Sequence, residues 1–230
     1  MAAVPDLGGL DREAAIGRLR RAMGRIGPAA HPAAPAARAL PTPPELAGIL
    51  DGTLIRGEIS TLDAPGTLLC ALLAAVTAAG GHAAVAGVPG LLPAVVAERG
   101  GDLDRLLLVP DPGADPAMVL GVLAEGVDLL VADIGAPPPA AARRRLRVRL
   151  RDPGAALVQL GPPWPGSVAR LGSRVLAVEG PAAGAGRIRV VRHLVHAAPA
   201  GRPERRAHWL VGGGPATVEE AAPARLRVAR

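Results

Sequence analysis

The chain has 230 residues, half of them hydrophobic, and this length fits one domain with extensions. All 26 basic residues are arginine, and there is no Phe or Tyr and only two Trp, so aliphatic side chains must fill the core. The formal net charge of +6 suits a nucleic acid or an acidic protein as partner, or an ordinary solvated basic surface. The single cysteine, Cys70, excludes a disulfide framework within the chain and favours a reducing cytoplasm.

The sequence predicts neither a signal peptide nor a membrane span. Acidic residues occur early in the chain, and no apolar segment of the signal-peptide kind accompanies them. The longest uncharged run, residues 64–97, is interrupted by Gly80-Gly81-His82 and by prolines, so its unbroken part is shorter than the ~20 residues that a membrane helix needs. We therefore expect a cytoplasmic protein without membrane contact.

The chain divides into four predicted segments. Residues 1–26 hold a short amphipathic helix that Asp11 can cap; it is a docking helix, a DNA-touching arm or a helix packed loosely on the domain. Residues 27–44 hold six prolines among alanines and predict a semi-extended linker. Residues 45–211 carry the pattern of a folded domain. Residues 212–230 lack a core pattern and predict a flexible basic tail.

The folded domain is organised around a predicted strand, tight turn and buried helix, at residues 58–62, 63–66 and 67–79. A nucleotide-binding P-loop begins in the same order. It needs several glycines, whose N–H groups converge on phosphates, and a lysine that reaches the terminal phosphates. Here only Gly66 remains, Pro65 has no N–H to donate, and the chain contains no lysine. The turn therefore predicts a lost nucleotide site.

Strands and helices alternate along the next hundred residues. The predicted strands are residues 82–88, 105–109, 127–134 and 155–160, and the predicted helices are residues 91–99, 115–125 and 139–151. These strands are continuous apolar runs, as expected for strands that are buried on both faces. The alternation predicts a mostly parallel sheet flanked by helices.

The alternation of predicted strands and helices ends after Trp164. Three strand candidates, at residues 174–178, 187–195 and 206–211, follow one another without a helix between them. They predict an antiparallel C-terminal extension of the same sheet. The predicted fold class is therefore α/β, with a mostly parallel sheet and an antiparallel extension.

The order of these segments resembles the RecA-like ATPase core. The resemblance is carried by RGEISTLDAPGTLLCALLAA at the P-loop position, by GGHAAVAGV and DLDRLLLVPDP as the next strands, and by VDLLVADIG as the Walker B strand, with Asp133 at its acidic position. Downstream, RRRLRVRLRDPGAALVQLG, WPG at residues 164–166 and the late strands that end in RPERRAHWLV look like the ImuA group. The actinobacterial ImuA-prime branch, in which the ATPase motifs are degraded, is the most similar.

This resemblance implies an accessory role in DNA repair. Proteins of that group work in the SOS response, where DNA damage induces mutagenic translesion synthesis. The implied partners are ImuB, an inactive Y-family polymerase homologue, and, indirectly, an error-prone C-family DNA polymerase.

Three residues stand at degenerate ATPase positions: Gly66 and Thr67 at the Walker A position and Asp133 at the Walker B position. ATP hydrolysis needs the missing lysine together with Mg²⁺ held by a Ser or Thr and the acid, so we predict that the chain is not an enzyme and binds no cofactor. On this interpretation Gly66 provides a turn, Thr67 caps the helix and Asp133 ends a strand. A divergent ATPase would need an arginine near the Gly66–Thr67 turn.

A cluster of arginines within residues 143–151 is a further candidate site for contact with DNA or a partner protein. Its members are Arg143, Arg144, Arg145, Arg147, Arg149 and Arg151. On a helix, Arg144, Arg147 and Arg151 form one stripe that could contact phosphates in a sequence-independent way. No aromatic residue flanks the cluster to stack bases. Direct DNA contact, protein docking and a solvated face are the three interpretations, and a stand-alone DNA-binding protein is a further alternative function.

The histidines do not predict a metal site. His82, His193, His196 and His208 are scattered, without a matching cysteine or paired carboxylates. His193 and His196 are expected to be strand residues on opposite or slipped faces.

Overall fold

The computed structural model describes residues 4–26, 38–152, 154–180, 187–212 and 217–220. Most of the predicted linker and most of the predicted tail lie outside the described residues.

The described chain alternates helices and strands in the predicted order. The helices are α1 (Arg12–Ile26), α2 (Ala47–Leu50), α3 (Thr67–Ala78), α4 (Pro93–Glu98), α5 (Pro116–Leu123) and α6 (Ala140–Arg151), with 3₁₀ turns at Pro44–Leu46 and Leu103–Arg105. The strands are β1 (Ile59–Leu62), β2 (Ala83–Ala86), β3 (Leu106–Val109), β4 (Leu129–Ala132), β5 (Ala156–Leu160), β6 (Ala169–Glu179), β7 (Val190–Pro199), β8 (Arg205–Val211) and β9 (Thr217–Glu220).

One sheet holds the nine described strands in the order β3-β2-β4-β5-β1-β6-β7-β8-β9. The strands from β3 to β6 in this order are parallel to their neighbours. The strands from β6 to β9 are antiparallel. The predicted α/β class with an antiparallel C-terminal extension is confirmed.

The continuous apolar strands serve two cores, one on each face of the sheet. In β2, Ala83 and Val85 face the core that holds α3, whereas Ala84 and Ala86 face the core that holds α1, α5 and α6. Alternate residues of a strand point to opposite faces, so a strand buried on both faces needs apolar residues at every position. The sheet is therefore covered by helices on both sides.

The N-terminal helix α1 is an integral part of one core. Leu19 and Ala22 are fully buried and belong to the same cluster as residues of α5 and α6. Asp11 caps the helix as predicted, because its Oδ1 accepts a hydrogen bond of 2.8 Å from the backbone N–H of Ala14. The interpretation of a loosely packed helix is wrong, since the apolar stripe of α1 closes over the sheet.

The folded region extends beyond both predicted boundaries. It begins before residue 45, because Ala39 forms an isolated bridge with Ile55 and Leu40 is buried. It continues past residue 211, because β9 pairs with β8, with Val218 opposite Trp209. The predicted flexible tail therefore contains a strand.

Strand β6 begins five residues before the predicted start at residue 174. Its first residues, Ala169, Arg170 and Leu171, pair in parallel with β1. The sequence signal was weak there because this part of β6 mixes buried and exposed residues.

Within the described part of the chain, no helix is both long and apolar enough to cross a membrane.

Candidate functional site

The turn between β1 and α3 lies at the carboxyl end of the parallel strands, the edge at which open α/β sheets bind ligands. Gly66 has a φ of 154°, a conformation that side-chain-bearing residues rarely adopt. A Cβ atom at this position would meet no heavy atom of the described residues within 4 Å. Gly66 is therefore required by its backbone conformation, and the space above the turn is open.

Thr67 does not cap α3 as predicted. Gly66 occupies the N-cap position, without a side-chain hydrogen bond, and Thr67 is the first helical residue. The physical reason is that the backbone of Gly66 is non-helical and the helix begins directly after it. The N-cap position therefore falls on Gly66, one residue before Thr67. The first N–H groups of α3 consequently have no side-chain cap.

The first residue of the turn, Asp63, is held by two basic side chains from the neighbouring strands. Arg170 on β6 places its Nε 2.6 Å from Asp63 Oδ1, and His196 on β7 places its Nε2 3.2 Å from Asp63 Oδ2. The hydrogen bond to Asp63 raises the pKa of Arg170 above its usual value. Gly172 makes room for this arrangement, because a Cβ there would lie 2.4 Å from His196 Cε1.

A second ion pair adjoins this cluster. Arg206 Nη2 lies 2.9 Å from Glu204 Oε2, and that hydrogen bond lowers the pKa of Glu204. The charges of His196 and Arg170 act in the same direction. Acidic and basic side chains therefore alternate across the edge of the sheet beside the turn.

The Asp63–Arg170 pair bears directly on nucleotide binding. A guanidinium does lie beside the turn, as a divergent ATPase would need, but it is bound to a carboxylate of the turn itself. A phosphate would have to displace that carboxylate and would meet its negative charge. Sequence reasoning missed both residues: Arg170 lies 107 positions after Asp63, and only the position of Asp63 directly after a buried strand was a local signal.

Asp133 directly follows β4, at the same edge of the sheet. Its side chain is exposed, and its Oδ1 accepts a hydrogen bond of 3.3 Å from the N–H of Gly135. Because β5 lies between β4 and β1, two strand spacings, about 10 Å, separate β4 from β1. The structure thus brings Asp133 and the Gly66 turn to one edge but not into contact.

The arginine cluster of residues 143–151 lies on α6, which is continuous from Ala140 to Arg151. Leu146 and Leu150 are buried one turn apart, whereas Val148 is 68% exposed. The helix therefore has one apolar face.

The arginines of α6 are not equivalent. Arg143 donates to the carbonyl of Pro138 at 2.7 Å, and Arg147 donates to the carbonyl of Gly166 at 2.5 Å. Arg147 therefore leaves the predicted stripe and stabilises the turn after Trp164. Arg144 and Arg145 are exposed and make no hydrogen bond or ion pair within the described ranges.

Helix α1 extends this basic surface. Arg149 of α6 and Arg20 of α1 both reach Glu125, at 3.1 and 3.6 Å, which places the two helices on either side of the end of α5. Helices α1 and α6 together carry eleven of the 26 arginines and a single acidic residue, Glu13. We call this surface the basic layer; the sequence separates its two parts by more than a hundred residues.

His193 and Cys70 are titratable side chains that lie buried in the core, away from the turn. Burial lowers the pKa of His193 and raises that of the Cys70 thiol. His193 is buried on one face of β7, whereas His196 on the other face contacts Asp63, as expected from their spacing. Among the described residues no cluster of His, Cys, Asp or Glu could hold a metal ion.

Comparison with known proteins gives one family, one relative and a fold. The family model of the MT3502 N-terminal domain matches residues 48–166. Uncharacterized protein Rv3395c of Mycobacterium tuberculosis (strain ATCC 25618 / H37Rv) is 42% identical over 146 residues, which cover 59% of this chain and 71% of the relative.

Two solved structures share the architecture. The RadB recombinase superposes with a TM-score of 0.52 at 16% identity, covering 78% of this chain and 97% of that protein. The KaiC-like protein PH0186 of Pyrococcus horikoshii OT3 gives 0.50 at 11% identity, covering 79% and 98%. At such identities the likeness shows the fold alone, which is the RecA-like α/β fold.

Proposed function

Since the chain belongs to the MT3502 N-terminal domain family and has a RecA-like fold with an altered nucleotide turn, we propose that it is a non-catalytic accessory or scaffold protein of DNA-damage-induced mutagenic translesion DNA synthesis. Its partners are an ImuB-type protein and, through it, an error-prone C-family DNA polymerase. The resemblance of the segments around residues 143–161 and 202–211 to the ImuA-prime branch supports this role.

One observation carries the non-catalytic part of the proposal. The turn that would cradle phosphates contains Pro65, which has no N–H, and Asp63, whose carboxylate binds Arg170 at 2.6 Å. The chain has no lysine to offset phosphate charge in a transition state. The strand, turn and helix are retained because they form the centre of the core, where nine residues of α3 are buried.

We expect the purified protein to hydrolyse no ATP above the buffer rate and the Asp133→Ala variant to behave identically, because the turn lacks the groups that stabilise transferred phosphate. Phosphate release is the measurement.

A pull-down from DNA-damaged cells of the source organism, with partners identified by mass, is expected to recover an ImuB-type protein and an error-prone polymerase. Hydrolysis that Asp133→Ala abolishes would refute the non-catalytic part, and recovery of neither partner would refute the translesion role.

A divergent nucleotide-dependent ATPase is the second candidate function, and the position of Arg170 favours it. The guanidinium of Arg170 lies at the turn and is 57% exposed, so it could reach a phosphate if Asp63 moved away. Arginine matches lysine poorly in this role, because its planar head is larger and differently shaped. In this case Arg170→Ala would abolish nucleotide binding, whereas the non-catalytic protein has none to lose.

The basic layer supports direct contact with the DNA backbone. We expect the double variant Arg144→Glu/Arg145→Glu to weaken binding to a short duplex on the order of tenfold and to reduce the slope of log affinity against log salt by about two, one phosphate contact per arginine. Fluorescence anisotropy at several salt concentrations is the measurement. Reversal of two exposed arginines outside the layer, Arg174→Glu/Arg189→Glu, is the matched control and should leave DNA affinity nearly unchanged. Equal losses in both variants would mean that only net charge matters.

A further inference from the structure

Strand β6 extends beyond the parallel sheet as an arm. Only its first three residues pair with β1, Ala169 through Leu171, whereas its pairing with β7 continues to Glu179. We define the β6–β7 arm as residues 173–180 and 187–192. Within the described chain, the other edge of residues 173–179 has no strand beside it, so this edge of β6 is free.

The arm concentrates exposed apolar side chains. Of the seven large hydrophobic residues that are exposed in the described chain, four lie here: Val175, Leu176, Val178 and Ile188. Residues 174–179 are all exposed, so within the described chain neither face of this part of β6 is covered. Single exposed hydrophobic residues are common on monomers, but a contiguous group marks an interaction surface.

The free edge has no proline and, among the described residues, no covering element. Proteins usually blunt an edge strand with such features, with charged side chains or with a β-bulge. Here the register shifts between Val175 and Ala177, and Leu176 has no cross-strand partner, but its side chain stays exposed. The edge keeps the backbone donors and acceptors with which another strand could pair.

The charge of the arm selects the kind of partner. Arg174, Arg187, Arg189 and Arg192 stand against one acidic residue, Glu179, which lies 3.5 Å from Arg192. The arm carries three more positive than negative charges, so two copies brought edge to edge would repel each other as a whole, even where Arg174 of one copy faces Glu179 of the other. An acidic segment would be attracted.

We infer that the β6–β7 arm binds an extended acidic segment of a partner protein, which adds a strand to the free edge of β6. Alternate apolar side chains of that segment pack beside Val175 and Val178, and its carboxylates lie on the other face, with Arg174 and Arg192. The seven free residues offer an edge of about 23 Å, which suits a strand of six or seven residues. This inference deepens the proposed function and rests on it only for the identity of the partner.

The test uses the full chain and two fluorescent eight-residue peptides of alternating sequence, one of Glu and Val and one of Lys and Val, with anisotropy as the measurement. The acidic peptide is expected to bind and the basic peptide to bind at least tenfold more weakly. The double variant Val175→Asp/Val178→Asp should lose at least tenfold in affinity for the acidic peptide. Val148→Asp, at a still more exposed valine on α6, is the control and should keep the affinity of the parent protein.

Each further outcome has a definite meaning. Equal binding of both peptides, or an equal loss in the Val148 variant, overturns the inference. Dimerisation in sedimentation that Val175→Asp/Val178→Asp abolishes would assign the edge to a second copy and also overturn it. If the arm variant recovers the ImuB-type protein as well as the parent does, the arm is not the docking site although the proposed function stands. If the acidic peptide binds through the arm but no ImuB-type protein is recovered, the proposed function fails and the inference stands.

Discussion

Replacing Asp128 with alanine is expected to lower the free energy of unfolding by about 3–5 kcal/mol, because the loss of one partner leaves a buried charge uncompensated. Asp128 is 1% exposed, and its Oδ1 lies 2.6 Å from Nη1 of Arg56. Its Oδ2 accepts a hydrogen bond of 2.8 Å from the backbone N–H of His82. This carboxylate thus ties together the chain segments that lead into β1, β2 and β4.

Urea denaturation followed by far-UV circular dichroism measures this loss. Asp128→Asn keeps an oxygen that can accept from His82 and removes only the charge, so its loss should be smaller and should remain measurable if the alanine variant does not fold. Asp133→Ala, which removes an exposed carboxylate after β4, is the matched control and should change stability by less than about 1 kcal/mol. A loss below about 1 kcal/mol in Asp128→Ala would show that the buried pair does not stabilise the fold.

Trp209→Ala is expected to cost about 3–5 kcal/mol of unfolding free energy, the usual range for removing a large buried aromatic side chain. Trp209 is fully buried and stands opposite His193 and Val218 on the adjacent strands. Its ring centroid lies 5.5 Å from that of His193, and the guanidinium carbon of Arg99 lies 5.0 Å from the ring centroid. The residue therefore packs the antiparallel extension against the C-terminal end of α4.

Trp209→Phe is the conservative control. The indole Nε1 has no hydrogen-bond acceptor within the described residues, so phenylalanine gives up volume but no hydrogen bond and should recover most of the lost stability. Trp164, the second tryptophan, remains as a fluorescence reporter in both variants. Equal losses in the alanine and phenylalanine variants would indicate that the indole shape, rather than buried aromatic volume, is required.

Local patterns predicted most of the architecture. Residues 67–78 form a helix because they are apolar, begin after a glycine turn and end at glycines, and these are signals within one segment. The parallel strands were recognisable because burial on both faces demands unbroken apolar runs. The antiparallel extension was predicted from strands without intervening helices, but its limits were not. The start of β6 depends on pairing with β1, and β9 depends on pairing with β8, so neither appears in its own segment.

The sequence by itself determined that this chain folds as an α/β protein around a strand–turn–helix and that the turn lacks the lysine of a P-loop. It could do so because side-chain periodicity and the absence of a residue type are local properties. Only the tertiary structure decided which side chains contact the altered turn. Asp63 binds Arg170 and His196, which lie on strands more than a hundred residues later in the sequence. It also joined the arginines of α1 and α6 into one layer and left the edge of β6 free. Such features follow from the strand order of the sheet, which no single segment of the sequence contains.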